Sequence, residues 1–586
     1  MPELSCLPYS VGYEDEGICL SVQIGPYSIL LDCGLADISA LREEAADFVF
    51  CTHAHTDHIR GLLPLHRAFP HLPIFSSEIT ARLLPLNWPG QADAKFCRSL
   101  PWRTPIELAP GLLVQLWPAG HLPGAACFLI TYKTPQRTYS VFYSGDCFLS
   151  NGRLVDGLPL AELRNLKPDV LIIEGSYGTE RHPHRKQQEN YLVERLSEAL
   201  KSNGTHPGRA VFPCPLLGLG QELLMLVRSH HQFTGQPINV WVDPLIAMGC
   251  DAYLGALSAL PATVQNFAQH QPLFWDERVL PRVRRLEADT TTADLHSSSE
   301  PAIFIVHPAT HPSLYCQGDL AHWTVFAPAL SDIPRWQNQM VGQSTGSFTR
   351  WYGFDWLAEM QAQSEIQSEI QSEIQTADPQ ITEAPITEPP MIEPPMIEIE
   401  HYMLTNHSDV AGTTQLIHNL RPQHVIFVHG QAQQLANLAS LDDLQSRYQP
   451  HLPTTTQLIV LLLAESFWHP APPQSTLYEG EVESTRERVS ITLPTSLESD
   501  PRWVQLADTG IVEATWQGDQ LVLRGLNQRE LMRVAPRAGA AVGKTCYYCR
   551  HLRGQRCRNP NSPLVGLQVT SDGSCAAFER SRQGLE

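Results

Sequence analysis

The stretch His53-Ala54-His55-Thr56-Asp57-His58 carries three imidazoles and one carboxylate within six residues. It follows the apolar run Phe48-Val49-Phe50-Cys51, which predicts a buried strand ending where the polar residues begin. Neutral imidazole nitrogens and carboxylate oxygens are the usual ligands of a catalytic zinc ion. The stretch therefore predicts half of a metal site on a loop at the C-terminal end of a strand, where α/β sheets place functional residues.

The spacing within this stretch predicts two metal ions. Side chains alternate along an extended loop, so His53 and His55 point the same way and can reach one ion. Asp57 and His58 are adjacent and project elsewhere, which suits a second ion roughly 3.5 to 4 Å from the first, as in enzymes that hydrolyse phosphate esters. The alternative is a set of surface histidines, and the candidate ligands that follow along the chain argue against it.

Three further polar residues stand at the ends of apolar runs. His121 would complete a three-histidine set, and Asp146 could bridge two ions. Asp32 could accept a hydrogen bond from a ligand histidine, although taken singly such a residue is more often a turn or a helix cap. The apolar runs concerned are 112–116, 141–143 and 28–31.

These four motifs, in this order, resemble those of the metallo-β-lactamase superfamily over residues 9–178. The resemblance implies an α/β protein with a four-layered αββα sandwich and a site at one edge of its two sheets. Such a resemblance implies fold and metal chemistry but leaves the substrate open.

Three later segments resemble motifs of the β-CASP ribonucleases, the branch that includes ribonuclease J-like proteins and the nuclease of the cleavage and polyadenylation specificity factor. Motif A is Glu174-Gly175-Ser176-Tyr177-Gly178, motif B is Thr405-Asn406-His407-Ser408-Asp409, and motif C is Val425-Ile426-Phe427-Val428-His429-Gly430. The resemblance implies an α/β β-CASP domain inserted between motifs A and B, and it extends to about residue 440.

The resemblance also implies a role for each site residue. Glu174 would orient site groups, and His407 would donate a proton to the leaving oxygen or bind the scissile phosphate, so that His407, Asp57 and Glu174 are the candidate catalytic residues. The implied ligands are His53, His55 and His121 for one zinc ion and Asp57, His58 and His429 for the other, with Asp146 bridging both.

The inserted segment departs from the family pattern. Leu219 stands between Gly218 and Gly220, where the family commonly has a basic residue. The glycine-rich loop and the later Gly-Thr-x-Gly-Arg stretch, which contact nucleic acid in the family, are not found. Because phosphate contacts supply much of nucleic-acid affinity, the sequence does not determine the substrate or the rate of its cleavage.

Composition and motif order predict six segments. Residues 361–400 contain nine acidic residues and no Lys or Arg, so they cannot bury enough apolar surface to fold. A protein partner could dock on this segment. The sequence also leaves a homodimer open. The segments are 1–178 and 401–470 (the two parts of the metallo-β-lactamase domain), 179–360 (the β-CASP domain), 361–400 (an acidic Pro/Glu/Ile-rich low-complexity loop), 480–530 (a small β-rich module) and 531–586 (a basic cysteine-rich tail).

The tail carries four cysteines, Cys546, Cys549, Cys557 and Cys575, in a C-x2-C-x7-C-x17-C pattern. Four thiolates predict a closed structural zinc site that would fold a segment too small to fold alone. An iron–sulfur cluster is the competing occupant, and four unrelated reduced thiols are the alternative to any metal.

Composition also indicates a compartment. The N-terminus lacks the pattern of a signal peptide, and the longest apolar run, 458–464, is far shorter than the ~20 residues of a membrane helix. Ten of the 14 cysteines are scattered singly through the first 316 residues, which favours a reducing compartment. We therefore expect a cytoplasmic protein without membrane contact.

The chemistry of these motifs predicts a two-zinc ribonuclease that cuts RNA internally or from an end. A non-catalytic or weakly active RNA-binding scaffold of the same fold, and a DNA nuclease, are the alternatives. The net charge of −20 argues only weakly against nucleic acid, because nine of the acidic residues lie in segment 361–400.

Overall fold

The computed structural model describes residues 4–13, 16–42, 46–164, 166–183, 185–201, 206–286, 295, 299–307, 322–328, 398–463, 481–484, 489–492, 512–517, 520–525, 549–553, 556–562, 565 and 577–579. The chain divides into two compact units, Met1–Pro472 and Pro473–Glu586. Among the described residues, no helix combines the length and the apolar character needed to cross a membrane.

The described strands of the first unit are β1 (Leu4–Val11), β2 (Ile18–Ile24), β3 (Tyr27–Leu31), β4 (Phe48–Phe50), β5 (Ile74–Ser77), β6 (Arg98–Leu100), β7 (Ile106–Ala109), β8 (Leu112–Pro118), β9 (Ala126–Lys133), β10 (Thr138–Tyr143), β11 (Val170–Glu174), β12 (Arg209–Pro213), β13 (Asn239–Val242), β14 (Arg282–Arg285), β15 (Ala302–Val306), β16 (Trp323–Pro328), β17 (Glu398–Tyr402), β18 (His424–Val428), β19 (Gln449–His451) and β20 (Ile459–Val460). Its described α-helices are α1 (Thr56–Ile59), α2 (Leu62–Ala68), α3 (Glu78–Leu83), α4 (Leu160–Leu163), α5 (Arg185–Ala199), α6 (Leu219–Ser229), α7 (Pro244–Gly255), α8 (Ala262–His270), α9 (Val410–Leu420), α10 (Ala432–Ala439) and α11 (Asp442–Gln445). Short 3-10 helices cover Ser39–Arg42, Leu84–Asn87, Ala92–Ala94 and Leu257–Ala259.

Two seven-stranded sheets pack face to face. The first runs β20-β1-β2-β3-β4-β5-β6 and the second β19-β18-β11-β10-β9-β8-β7. Alternation along the strands supplies the shared core: in β2, Ile18 and Leu20 join apolar residues of both sheets, while Cys19 between them belongs to the core on the outer face. Phe50 of the first sheet lies 5.0 Å from Phe128 of the second, centroid to centroid.

Helices cover the outer faces and complete the αββα layers. Helices α9 and α10 supply buried apolar residues to the core that contains the outward-facing Leu171 and Ile173 of β11, and α2 does the same for Val49 of β4. Strand β11 is buried along its whole length because β10 and β18 flank it in parallel. The predicted αββα fold is confirmed.

The inserted segment forms a third, parallel sheet in the order β14-β13-β15-β12-β16-β17. The predicted α/β insertion is therefore confirmed. Strand β17 pairs in this sheet, so the chain still belongs to the inserted sheet at residue 402, just before motif B.

The second unit contains three two-stranded antiparallel pairs among its described residues. Pairs β21 (Glu481–Ser484) with β22 (Val489–Thr492), and β23 (Val512–Gln517) with β24 (Gln520–Gly525), lie in the predicted β-rich module. Strands β25 (Leu552–Arg553) and β26 (Arg556–Cys557) lie in the predicted tail. Most of the predicted acidic loop, residues 361–397, lies outside the described residues.

Candidate metal centre

Six strand ends deliver the predicted site residues to one edge of the sandwich. Asp32 follows β3, the His53–His58 stretch follows β4, His121 lies between β8 and β9, Asp146 follows β10, Glu174 ends β11, and His429 follows β18. His407 arrives differently, from the loop that leaves the inserted sheet after β17. One local prediction was wrong: Asp57 and His58 lie not on the loop but in the single turn of α1, and the ring of His58 lies beside that of His53, with 4.1 Å between the ring centroids.

The first group of potential ligands consists of His53, His55, His121 and Asp146, whose ligand atoms all lie within 4.8 Å of one another. His55 Nδ1 is 3.1 Å from His121 Nε2, and His53 Nε2 is 3.3 Å from Asp146 Oδ2. Burial lowers the pKa of His55 to about 3 and also lowers those of His53 and His121. These imidazoles are therefore neutral near pH 7, the form that binds metal ions.

The second group consists of Asp57, His58 and His429, again within 4.8 Å. His429 Nε2 is 3.1 Å from Asp57 Oδ2, and His58 Nε2 is 3.3 Å from Asp146 Oδ1. Burial alone would lower the pKa of His429, but the charges of Asp146 and Asp57 outweigh it and raise that pKa to about 9. The negative potential responsible for this shift suits a cation, and Asp146 faces both groups.

Hydrogen bonds show which nitrogen of each imidazole is free. His55 Nε2 donates to the carbonyl oxygen of Leu217 at 3.3 Å, and His121 Nδ1 donates to that of Asn406 at 3.1 Å. Since a carbonyl can only accept, the facing atoms His55 Nδ1 and His121 Nε2 are both left with lone pairs. Two lone pairs 3.1 Å apart repel each other unless a cation lies between them.

Three buried atoms next to these two imidazoles lack a hydrogen-bond partner among the described residues. They are His53 Nε2, His58 Nε2 and Asp146 Oδ1. Such atoms carry a large desolvation cost unless something binds them. Imidazole and carboxylate donors converging on two centres fit two divalent ions of the zinc class.

Asp32 organises the layer behind the first stretch. Its carboxylate accepts hydrogen bonds from the Thr52 amide (2.7 Å), the Thr52 hydroxyl (2.8 Å), the Tyr143 hydroxyl (2.8 Å) and His58 Nδ1 (2.9 Å). The bond to His58 turns Nε2 of that ring toward Asp57 and Asp146. Sequence reasoning missed Thr52 and Tyr143, and their only local signal is a polar group at the end of a strand adjoining the site.

Glu174 connects motifs A and B. It is 1% exposed and accepts hydrogen bonds from the Cys147 amide at 2.5 Å and from His407 Nδ1 at 2.7 Å. Burial would lower the pKa of His407, but Glu174 and Asp146 raise it above its usual value. Ser176 of motif A, to which the sequence assigns no role, also donates to Glu174.

The inserted domain contributes directly to this edge. Gly218, with φ of 95°, precedes α6 and places the Leu217 carbonyl against His55. Arg185 of α5 donates to the carbonyl oxygen of Thr405 in motif B and pairs with the buried Glu222 of α6 at 2.8 Å. The position of the inserted helices therefore sets the position of motif B.

The predicted C-terminal metal site is described only in part. Cys549 is half-buried and Cys557 is buried at the end of β26, and neither is in a disulfide. Cys546 and Cys575 lie outside the described residues, so the four-cysteine site remains a prediction.

Known proteins that are similar in sequence to this chain belong to the same superfamily. Residues 27–206 match the family described as "Beta-lactamase superfamily domain". The chain belongs to the metallo-β-lactamase superfamily and, within it, to the β-CASP ribonuclease family.

Three relatives illustrate this membership. An uncharacterized protein of Synechocystis sp. is 44% identical over 98% of this chain and 97% of its own length. A protein of Methanocaldococcus jannaschii named "Probable RNase MJ4" is 27% identical over 36% of this chain and 54% of its own length. A ribonuclease of Thermus thermophilus is 29% identical over 40% of this chain and 57% of its own length. The chain thus spans little more than half of each ribonuclease relative.

Proposed function

We propose that this protein is a two-zinc hydrolase that cleaves phosphodiester bonds of RNA. The observation that carries the proposal is the meeting of two ligand groups at Asp146, with the Glu174–His407 pair beside them. His53, His55, His121 and Asp146 would hold one ion, and Asp57, His58, His429 and Asp146 the other. When bound there, zinc supplies Lewis-acid chemistry that activates water and neutralises charge developing at phosphorus.

The protein's own residues supply position and protons. Glu174 holds Nδ1 of His407, which leaves Nε2 of that ring available to the substrate. A histidine held in this way can protonate the leaving oxygen or bind the phosphate. RNA as the substrate is supported by the ribonuclease names of the relatives, of which the chain matches only part.

The test is cleavage of an end-labelled RNA in Zn²⁺ or Mn²⁺, beside DNA of the same sequence and a chromogenic phosphodiester. We expect RNA to be cleaved fastest and His407→Ala to slow cleavage at least about a hundredfold, because a positioned acid contributes roughly 10²–10⁴. His231→Ala is the matched control, since this exposed histidine follows the far end of α6 and should cleave at the wild-type rate.

Equal products from wild type and His407→Ala, or none from either, would contradict the proposal. Bound zinc with RNA binding but no cleavage would identify an RNA-binding scaffold. Faster cleavage of DNA would identify a DNA nuclease.

A further inference from the structure

Ser176 lies between residues of all three β-CASP motifs. Its side chain is buried, with the whole residue 5% exposed. Its hydroxyl donates to Glu174 Oε2 and lies 3.0 Å from His429 Nδ1 and 3.4 Å from His407 Nδ1. One hydroxyl thus joins the acid of motif A to the histidine of motif C.

The donors and acceptors around Ser176 decide where the proton on His429 lies. A hydroxyl has one proton and two lone pairs, and Ser176 uses its proton on Glu174. It can therefore only accept from His429, so Nδ1 of that ring carries the proton. In the neutral ring, the form that binds a metal ion, the lone pair is then at Nε2, the atom 3.1 Å from Asp57 Oδ2.

A second hydroxyl makes the same arrangement in the other group. Thr52 Oγ1 donates to the buried Asp32 at 2.8 Å and lies 3.0 Å from His53 Nδ1, which leaves Nε2 of His53 facing Asp146. Two hydroxyls, each committed to a buried carboxylate, therefore set the tautomers of two histidines. The remaining three histidines donate to Asp32 or to main-chain carbonyl oxygens.

The backbone of His429 is held in place, but its imidazole ring could still rotate. Its φ of 54° lies in the left-handed region, and its amide donates to the Val11 carbonyl oxygen at 2.8 Å. The Cα is therefore held, but Nδ1 also lies 3.6 Å from Asp146 Oδ1 and could turn toward that carboxylate. A fixed acceptor at Nδ1 prevents this rotation.

We infer that Ser176 is a positioning residue that fixes the tautomer and ring orientation of His429 for binding the second metal ion. The inference rests on the proposed two-metal function. Glu174 serves both sides of the site, because it takes the Ser176 proton on the metal side and holds His407 on the substrate side. Loss of the hydroxyl should therefore weaken the binding of the second metal ion, and catalysis should fall because that ion is lost.

The test is a zinc titration against a chromophoric chelator, using the full-length protein and its Ser176→Ala and Ser176→Thr variants. His429→Ala identifies which stepwise affinity belongs to the second group. Ser76→Ala is the matched control, because it deletes an equally buried serine hydroxyl that bonds to the Ser77 carbonyl oxygen and Cys97 Sγ. Circular dichroism verifies that each variant is folded.

We expect Ser176→Ala to weaken the second zinc affinity by about tenfold or more, the usual effect of removing a group that hydrogen-bonds a ligand histidine. The first zinc affinity should stay within about threefold of wild type. Ser176→Thr keeps the hydroxyl and should bind both ions within about threefold of wild type. In RNA cleavage at limiting zinc, Ser176→Ala should lower kcat, recover with added zinc, and leave KM unchanged.

Wild-type affinity for both ions in Ser176→Ala would overturn the inference. Equal weakening by Ala and Thr would also overturn it, because the hydroxyl would then not be the cause. Uptake of fewer than two ions by the wild type would overturn it together with the proposed function. If the wild type binds two ions and cleaves no RNA, the proposed function fails while the titration still decides the role of Ser176.

Discussion

Asp32 shows how one buried carboxylate can set the geometry of a ligand. It is fully buried, its backbone has a φ of 54°, and it accepts four hydrogen bonds from Thr52, Tyr143 and His58. Four donors stabilise this buried carboxylate, and without it the buried Thr52 amide and Tyr143 hydroxyl would lose their acceptor. Asp32 should therefore stabilise the fold as well as orient His58.

Replacing Asp32 by Ala should lower the free energy of unfolding by about 3 kcal/mol or more, since each buried donor left without an acceptor costs roughly 1–3 kcal/mol. Urea denaturation of the metal-free protein, followed by near-UV circular dichroism, measures this loss. The control is Asp37→Ala, which removes an exposed aspartate that accepts hydrogen bonds from Ser39, two residues away, and should cost less than about 1 kcal/mol. Equal losses in the two variants would contradict a special role for Asp32.

At the scale of elements, the loop after β3 packs directly against α1. A Cβ on Gly34 would lie 1.6 Å from the carbonyl oxygen of Asp57 and 2.7 Å from Cα of Gly17. Backbone atoms cannot give way as flexible side chains can. This contact sets how closely the turn carrying Asp57 and His58 approaches the strand end that carries Asp32.

Gly34→Ala should therefore destabilise the protein by about 3 kcal/mol or more, because the loop and α1 must separate. The second zinc affinity should fall with it, since Asp57 moves. Gly255→Ala, at the exposed end of α7 with open space around its Cβ position, should leave stability unchanged or raise it by up to about 1 kcal/mol. Thermal unfolding and zinc titration measure both effects, and wild-type values for Gly34→Ala would show that the loop adjusts.

At the scale of the whole molecule, the site joins parts of the chain that are far apart in sequence. Asp57 and His429 are 372 residues apart and touch at 3.1 Å, and His121 bonds to Asn406 across 285 residues. Between them, Arg185 and Glu222 hold the inserted helices to motif B. A ligand bound at this junction stabilises every part that contributes to it.

Removal of metal should consequently lower the unfolding temperature of the first unit. Free zinc at 100 times its dissociation constant should stabilise the protein by about 2.7 kcal/mol per ion, because it binds the folded state only. Differential scanning calorimetry with EDTA and then with added zinc measures the shift. Asp146→Asn replaces the carboxylate facing both groups by a neutral amide and should show a much smaller zinc-dependent shift of the unfolding temperature. A wild-type protein whose unfolding temperature does not change with zinc would contradict two-ion binding.

The sequence by itself determined the layers of the fold and the residues that gather at its edge. Period-two alternation, as in β2, and polar residues at strand ends, as in Asp146 and His429, are local signals that survive in a single chain. They predicted that metal-ligating residues gather where strands end, and the structure brings the seven predicted ligand residues together. The αββα sandwich and the insertion were implied by the resemblance of the motifs to known families.

Only the tertiary structure decided the roles of Thr52, Tyr143, Ser176 and Leu217. Which nitrogen of each histidine binds its acceptor depends on contacts between residues that are far apart in sequence, such as His55 with Leu217 at a separation of 162 and Ser176 with His429 at 253. A hydroxyl or a carbonyl group carries no sequence signal of its own. Its function arises when packing fixes its distance to an imidazole, and that distance is a property of the folded chain.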